Sequence, residues 1–363
     1  MSAIAAIAVL ALLIVVHELG HFLAARLQGI HVNRFSIGFG PILWKYQGSQ
    51  TEYALRAIPL GGFVGFPDDD PDSDIPSDDP DLLRNRPVFD RAIVISAGVI
   101  ANLIFAYLVF VGQYTLVGVP AGFDAQAGVL VPEILSSEAP AAQAGIRAGD
   151  IIVEVNDQPL GSSDAAIQTL MTTIQQSPGV PLDLTVQRGD RQVEVTVTPT
   201  AEDGGKGRIG VQLLPNGTFE YRRPTGVVEV LTLAARSFQD MFVRTVQGFG
   251  MLITNFSEMA NQVSGPVKIV EQGAKYAQGD ATSLFPFTAI ISINLAIINI
   301  LPLPALDGGQ LAFLLVEWLR GKPLPMRFQE SVMQTGLFLL LGLGIFLIVR
   351  DTTQLEIFQN TPQ

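Results

Sequence analysis

The chain has 363 residues, of which 48% are hydrophobic and only 15% are charged, and its mean hydropathy is +0.37. This composition is typical of a membrane protein with several spans and one soluble domain. The net charge of −12 argues against a nucleic-acid partner. The chain contains no cysteine, which excludes both a disulfide framework and a thiolate metal site.

Residues 1–27 are predicted to form transmembrane helix 1, a retained span that lacks the basic segment and cleavage site of a signal peptide. His17 and His21 are four residues apart, so a helix places both rings on one face, where they can share a zinc ion. Glu18 lies on the neighbouring turn and can reach water at the metal as a catalytic base. A charged residue at the centre of a membrane helix costs roughly 2.5–3.5 kcal/mol, so this placement indicates function.

Residues 28–90 are predicted to form a cytoplasmic loop, because they carry several arginine and lysine residues. Within the loop, 51–66 indicates β structure with a Gly-Gly turn, either a re-entrant β-hairpin beside the metal site or a small surface hairpin. The acidic run from Asp68 to Asp81 is typical of a solvated, disordered segment. A calcium site is disfavoured there, since the spacing lacks the glycine and final glutamate of a calcium-binding loop.

Residues 91–119 are predicted to form transmembrane helix 2. Its small residues at helical spacing permit close approach to another helix, and Gly98 is predicted to serve this packing. Asn102 needs a buried partner and can help to hold a segment that bears metal ligands. Both residues are therefore predicted to give structural support.

Residues 120–200 change to a soluble α/β pattern that resembles a PDZ domain, whose usual function is to bind peptide tails along an open sheet edge. Residues 201–282 are predicted to be a hinge followed by amphipathic helices on the membrane surface. Residues 283–304 are predicted to form transmembrane helix 3. Three segments complete the chain: a Leu-Asp-Gly motif with a cytoplasmic segment at 305–331, transmembrane helix 4 at 332–349 and a C-terminal tail at 350–363.

The predicted class is an α-helical polytopic membrane protein with about four transmembrane helices, one inserted PDZ-like domain and a membrane-associated β-loop. A catalytic zinc site usually has three protein ligands. Asp307 follows helix 3 at the same predicted depth as the two histidines, so it is the candidate third ligand. The alternative is that Asp307 caps the helix that follows it. His31 lies too far along the chain to fit a third-histidine spacing.

The chain resembles the site-2 protease family of intramembrane zinc metalloproteases. It is closest in pattern to the bacterial and plastid branch with a single PDZ-like domain. The resemblance rests on the stretch from His17 to His21, on the stretch from Asn294 to Gly308 and on the PDZ-like middle, in the family's order. It implies that His17, His21 and Asp307 bind zinc and that Glu18 is the general base. The resemblance implies three further matches to motifs of the family. Gly98 and Asn102 match its small-residue motif in the second core span, 51–66 resembles its re-entrant β-loop, and Ser264-Gly265-Pro266 resembles a further short motif.

The predicted function is cleavage of the transmembrane segment of single-span membrane proteins in regulated intramembrane proteolysis, with an anti-sigma factor or a signal-peptide remnant as possible partners. A substrate helix hides its carbonyls in its own hydrogen bonds and must unwind locally before attack. Four residues are predicted to bind the unwound segment: Asn294, Asn299, Pro302 and Pro304.

The predicted location is a bacterial inner (plasma) membrane, with the active site toward the cytoplasm and the PDZ-like domain on the other side. A non-catalytic membrane PDZ adaptor with a structural metal site is one alternative, although such a site would not need Glu18. A metal transporter is another, but it would need more carboxylates or histidines along a path.

Overall fold

The computed structural model describes residues 2–70, 73–162, 164–201, 205–256, 264–279 and 281–354. The chain forms two compact units, one from residues 1–117 with 224–363 and the other from residues 118–223. In chain order, the helices are α1 (Ser2–Leu27), α2 (Val88–Leu116), α3 (Pro140–Gln143), α4 (Asp164–Gln176), α5 (Val227–Thr254), α6 (Pro266–Gly279), α7 (Leu284–Ile300), α8 (Asp307–Arg320) and α9 (Met326–Gln354). The strands are β1 (Arg34–Gln47), β2 (Glu52–Gly65), β3 (Val119–Val131), β4 (Asp150–Val155), β5 (Gln158–Pro159), β6 (Leu182–Arg188), β7 (Arg191–Val197), β8 (Thr200–Ala201), β9 (Gly207–Arg208) and β10 (Leu214–Arg222).

Within the described residues, three helices are long and apolar enough to cross a membrane: Ala3–Leu27, Val88–Leu116 and Met326–Thr353. They correspond to predicted transmembrane helices 1, 2 and 4. Helix α7 is apolar but has only 17 residues. At 1.5 Å per residue it is about 26 Å long, slightly less than the hydrocarbon thickness of about 30 Å. The helical membrane part of the predicted fold is confirmed, while the count of four spans stays a prediction.

Helices α1, α2 and α7 pack closely through small residues. A Cβ atom at Gly20 of α1 would overlap the backbone of Ala97 in α2 and would lie 2.7 Å from Ala101 Cβ. This approach brings the face of α1 that carries the histidines against α2. On the other side of α2, Ser292 of α7 donates a 2.8 Å hydrogen bond to the carbonyl oxygen of Asn102. Polar side chains commonly link helices in this way where no water is present.

Helix α5 packs against α2 and α7 around Ala106, Phe110, Ala234, Ala289 and Ile293. The region 201–282 was predicted to contain amphipathic membrane-surface helices, and it holds α5 and α6. Their depth in the membrane stays a prediction. Residues 257–263, between the two helices, lie outside the described part of the chain.

The loop at 28–90 contains a curled sheet that is larger than a hairpin within 51–66. β1 and β2 both bend and pair in four segments, with 62–65, 34–37, 52–55 and 44–47 side by side in that order. Segments 34–37 and 52–55 are parallel, and the other two pairings are antiparallel. The bends fall at Gly38, Gly40 and Gly61, whose φ angles are +88°, +82° and +124°, a conformation that favours glycine. Whether this sheet enters the membrane stays a prediction.

The acidic run that follows is held at its ends, which differs from the predicted disordered segment. Asp68 accepts a hydrogen bond from the backbone N–H of Leu83 at 3.0 Å and pairs with Arg84 at 3.2 Å. Asp70 pairs with Arg34 at 3.1 Å. Residues 71–72 lie outside the described part of the chain. The ion pairs explain the difference, because composition alone does not show that basic partners lie nearby.

Helix α6 begins at a carboxylate supplied by α9. Asp351 is 3% exposed, and its Oδ2 accepts a hydrogen bond from the backbone N–H of Lys268 at 3.1 Å. A Cβ atom at Gly265 would overlap this oxygen and would lie 2.9 Å from Leu347 Cβ. The Ser264-Gly265-Pro266 motif therefore has a local explanation: its glycine leaves room for the carboxylate, and its proline starts the helix.

The second unit is built on an antiparallel sheet in the order β10-β3-β4-β6-β7, with β5 beside β4. Its core includes Val129, Ile152, Leu170 and Leu184, which are all buried. The unit extends past the predicted limits of 120–200 because β10 pairs with β3. Within the predicted hinge at 201–207, Ala201 belongs to β8 and Gly207 to β9, and residues 202–204 lie outside the described part of the chain.

A buried ion pair ties β4 to β6 in this unit. Asp150 is 1% exposed and accepts hydrogen bonds from Arg188 Nε at 2.8 Å, from Arg188 Nη2 at 2.7 Å and from the backbone N–H of Arg147 at 2.7 Å. Burial acts to raise the pKa of Asp150, but the hydrogen bonds from Arg188 and Arg147 and the guanidinium charge lower the pKa below its usual range. The carboxylate is therefore charged at neutral pH.

Candidate metal centre

Three side chains from two helices converge at one point in the helical unit. His17 and His21 come from α1, and Asp307 is the first residue of α8. Asp307 Oδ2 lies 3.2 Å from His17 Nε2 and 3.4 Å from His21 Nε2, and the two Nε2 atoms are 3.2 Å apart. The structure thus brings together the three predicted ligands, although they are up to 290 residues apart in the sequence.

This set of donor atoms fits zinc. Asp307 Oδ2 is buried and has no hydrogen-bond partner with good geometry among the described residues, although it faces two ring nitrogens. A buried carboxylate oxygen without a donor is costly, and a bound cation removes that cost. Two imidazole nitrogens and a carboxylate oxygen form one of the ligand sets that catalytic zinc uses.

The two rings are oriented by groups on α2. His21 Nδ1 lies 2.8 Å from the carbonyl oxygen of Val94, so the ring donates its Nδ1–H there and keeps Nε2 free for the metal. His17 Nδ1 lies 3.3 Å from the side-chain amide of Asn102. Asn102 is fully buried. Its role as structural support is therefore a contact with a candidate ligand, which the sequence alone did not reveal.

The amide of Asn102 can also provide the acceptor that a metal-bound His17 would need. A His17 ring that binds metal through Nε2 is protonated at Nδ1 and needs an acceptor there. The Asn102 Oδ1 atom has no partner among the described residues. Because amide nitrogen and oxygen are assigned from hydrogen bonding alone, Oδ1 of this amide is the acceptor that a metal-bound His17 requires.

Both histidine rings pack directly against Gly98 of α2. A Cβ atom at this position would overlap His21 Nε2 and would lie 2.7 Å from His17 Cε1. The sequence predicted a packing role for Gly98, and the packing partners are the candidate metal ligands themselves. Any side chain here must displace at least one ring.

Glu18 lies beside the three ligands in a cavity of about 640 Å³. Its carboxylate accepts a hydrogen bond from the backbone N–H of Val64, and a Cβ atom at Gly62 would lie 3.0 Å from Glu18 Cγ. The curled sheet therefore holds the candidate base in place. Glu18 and Asp307 together place two carboxyl groups beside the histidines, which suits a divalent cation.

Helix α8 carries Asp307 at its first residue and is held to α2 by an ion pair. Leu306 precedes the helix and makes no side-chain cap, so Asp307 faces the histidines as the first helical residue. At the other end of α8, Glu317 forms a two-point ion pair with Arg91 of α2, with Arg91 Nη1 3.2 Å from Glu317 Oε2. Both side chains are about 15% exposed. Sequence reasoning missed this pair, because nothing local connects residues 226 positions apart.

The structure separates the four predicted substrate-binding residues. Asn299 reaches the metal centre, with its Nδ2 3.3 Å from His17 Nε2. Asn294 instead lines a different cavity of about 650 Å³ between α2, α5 and α7. Pro302 is exposed in the turn after α7, and Pro304 packs against Gly336 of α9. Among these four, a contact with a candidate ligand is described for Asn299, and the substrate contacts of all four stay a prediction.

His31 does not join the centre, as predicted from its spacing. Its Nε2 lies 3.5 Å from Asp79 Oδ1 in the loop at 28–90, near Asp81. Asp81 is already paired with Arg86 at 2.6 Å. An arginine at that carboxylate competes with a cation, so this group is an ion-pair cluster.

Comparison with known proteins adds independent information. The model of peptidase family M50 matches residues 5–343. A Nostoc sp. protein that is provisionally named a zinc metalloprotease is 63% identical, with 98% of this chain and 97% of that protein covered. The regulator of sigma-E protease RseP of Escherichia coli is 30% identical, with 94% of this chain and 96% of that protein covered. The crystal structure of the PDZ domain of an SdrC-like protein from Listeria innocua is 29% identical over 24% of this chain and 92% of that chain, with a TM-score of 0.21.

Proposed function

Since the chain belongs to peptidase family M50 and is a membrane metalloprotease, we propose that it is a zinc endopeptidase that cleaves single-span membrane proteins within their transmembrane segment. The observation that carries this proposal is the position of the histidines along α1, a helix long and apolar enough to cross a membrane. His17 is ten residues from the end of α1 at Leu27, or about 15 Å along the helix. Half the hydrocarbon thickness is also about 15 Å.

His17, His21 and Asp307 are proposed to hold the zinc ion, which supplies a Lewis acid that polarises the scissile carbonyl and makes nearby water more acidic. Glu18 accepts the proton of the attacking water on its carboxylate and later delivers it to the leaving amine. The backbone N–H of Val64 and the close contact with Gly62 keep this carboxylate in one position. Water reaches the centre through the cavity beside Glu18, whose wall includes the charged residues Arg84 and Glu330.

Asn299 is proposed to bind the unwound substrate at the centre. A transmembrane helix offers no free carbonyl until several of its hydrogen bonds are opened. An amide next to the metal ligands can donate to one of these freed carbonyls. Asn294 lies in the other cavity, and we propose that it contacts the substrate before the substrate reaches the ligands.

The partners follow from this assignment. RseP is named as a regulator of sigma-E, and by analogy an anti-sigma factor or the remnant of a signal peptide is a candidate substrate. The α/β unit is proposed to bind peptide tails, as PDZ domains do. A bacterial plasma membrane is the proposed location, with the active site open to the cytoplasm.

The test is Glu18→Gln in the full chain, reconstituted in a bilayer with a single-span substrate. The amide keeps the shape of the side chain but cannot accept a proton, so zinc should be retained while cleavage falls by about 10²–10⁴-fold. His17→Ala, His21→Ala and Asp307→Ala should each lower the bound zinc, whereas the matched control His31→Ala should keep both zinc and cleavage. Full turnover by Glu18→Gln would refute the proposal, and stoichiometric zinc in Asp307→Ala would remove Asp307 from the ligand set.

A further inference from the structure

The outer half of the β3–β10 ribbon has an aromatic face and an acidic face. Phe123 of β3 and Phe219 of β10 are directly opposite each other, with ring centroids 5.0 Å apart. Tyr221 follows two residues later on β10, on the same face of that strand, and the extra residue of the bulge between Glu220 and Tyr221 lies in β3. The neighbouring residues Asp124 and Glu220 point to the reverse face by the same alternation.

The aromatic face is solvent-exposed. Phe219 is 64% exposed, Tyr221 41% and Phe123 36%. Further along β3, Val129 and Val131 are fully buried in the core of the unit. One end of the ribbon therefore contributes to the core, while the other presents three adjacent aromatic side chains to the surroundings. A group of exposed aromatic side chains on one face of a ribbon marks a candidate interaction site.

Short connections tie the exposed end of the ribbon to the membrane helices. β3 starts at Val119, three residues after α2 ends at Leu116, and β10 ends at Arg222, five residues before α5 starts at Val227. A fully extended chain spans at most about 3.6 Å per residue. Phe123 is thus never more than about 25 Å from the end of the α2 span.

We propose that Phe123, Phe219 and Tyr221 insert into the interfacial zone of the bilayer that α2 crosses. Aromatic side chains are enriched in this zone, where rings meet the acyl chains and a tyrosine hydroxyl meets the headgroups. Arg222 and Arg223 follow directly, and a guanidinium group can donate two hydrogen bonds to a headgroup phosphate. The acidic reverse face faces water.

The short tethers favour lipid over a second protein as the occupant. The patch is attached through β3 to the α2 span, three residues away, so the membrane surface is present at a high effective concentration. A second copy of the chain would have to diffuse to the same place and compete with that surface. The combination of phenylalanine, tyrosine and arginine also matches the composition of a membrane interface. A sheet surface that binds a protein depends instead on a shape complementary to its partner.

The absence of cysteine permits a direct test in the full chain. Phe219→Cys and Glu220→Cys are neighbours on opposite faces, and Phe123→Cys and Asp124→Cys repeat the comparison on β3. Each variant carries a fluorophore and is placed in a nanodisc with one protein copy and lipids that bear a nitroxide quencher just below the headgroup. Zinc content and substrate cleavage report whether each labelled variant is folded.

We expect several-fold stronger lipid quenching at 219 and 123 than at 220 and 124, and the reverse order with iodide in the water. Equal lipid quenching on the two faces would overturn the proposal. So would iodide quenching at 219 as strong as at 220. A third outcome would also overturn the proposal: a label at 219 that neither quencher reaches in liposomes but that both quenchers reach in single-copy nanodiscs. That result would identify a second copy of the chain as the occupant.

Discussion

At the scale of single residues, Gly98 has the sharpest consequence. A methyl group at this position would overlap His21 Nε2 and lie 2.7 Å from His17 Cε1. We expect Gly98→Ala to lose most of its bound zinc and its cleavage, because one ring must leave the site. Zinc content by elemental analysis of the purified chain measures this directly.

Gly112→Ala on the same helix is the matched control, since its methyl group would meet only Phe285 at an ordinary 3.6 Å. That variant should keep its zinc. Full zinc occupancy in Gly98→Ala would show that the two rings can move without losing the metal. The sequence predicted close packing at Gly98, but it could not show which face of α2 meets α1.

At the scale of helices and strands, the Arg91–Glu317 pair fixes α8 against α2. Both side chains are partly buried, so Arg91→Ala leaves a carboxylate without its partner. We expect a loss of about 2 kcal/mol in the free energy of unfolding, below the 3–5 kcal/mol of fully buried pairs. Weaker zinc binding should accompany it, since Asp307 is on α8. Thermal unfolding in nanodiscs and zinc titration measure the two effects.

Lys45→Ala is the control for this pair, because Lys45 is 62% exposed in its pair with Glu52. Such exposed pairs contribute roughly 0–1 kcal/mol. Arg91→Met with Glu317→Leu should recover stability, because an apolar pair removes the unpaired charge. Zinc affinity that is unchanged in Arg91→Ala would show that α8 is positioned without this ion pair.

The ion pair of Asp150 predicts a pH dependence for the α/β unit. Its lowered pKa means that the folded unit binds fewer protons than the unfolded chain around pH 4. The stabilisation is therefore complete above the ordinary aspartate pKa of about 3.9 and is lost as pH falls through the lowered value. Hydrogen exchange of β4 and β6 amides in the full chain, corrected for the intrinsic rate, should show weaker protection below about pH 4.

Asp150→Asn should weaken this protection at pH 7, because a neutral amide has one acceptor oxygen and no charge to pair with the guanidinium group of Arg188. The variant should also depend less on acid, because the amide does not titrate. An identical pH profile in the variant would assign the acid response to other carboxylates. Thr196→Ala, which removes an exposed hydrogen bond to Asp183, should keep the profile of the original chain.

Some features of the helices and strands could be predicted from the sequence, and others could not. The histidine pair could be predicted because helical periodicity alone places both rings on one face. The β structure at 51–66 could be predicted from its residues, but its partner β1 could not, because Gly38, Gly40 and Pro41 interrupt the alternation of that strand. The contact of Asn299 with His17 depends on how α7 turns against α1, and no pattern within either helix encodes that rotation.

At the scale of the whole molecule, the number of spans decides on which side each loop lies. Reporter fusions after Asp79 and after Lys322 should read cytoplasmic, and fusions after Asp203 and Gln363 should read extracytoplasmic. The 17 residues of α7 make it the critical span. If the fusions after Lys322 and Asp203 lie on the same side, α7 does not cross and the four-span prediction is wrong.

The distance in sequence between the proposed ligands sets an order of events during synthesis. His17 and His21 enter the membrane with the first helix, while Asp307 is translated 286 residues after His21. At about 5–20 residues per second this interval is roughly 15–60 s. A nascent chain therefore carries an incomplete ligand set until most of its helices have been made. With the proposed ligand set, proteolytic activity is therefore expected only after helices α1 to α7 have been made.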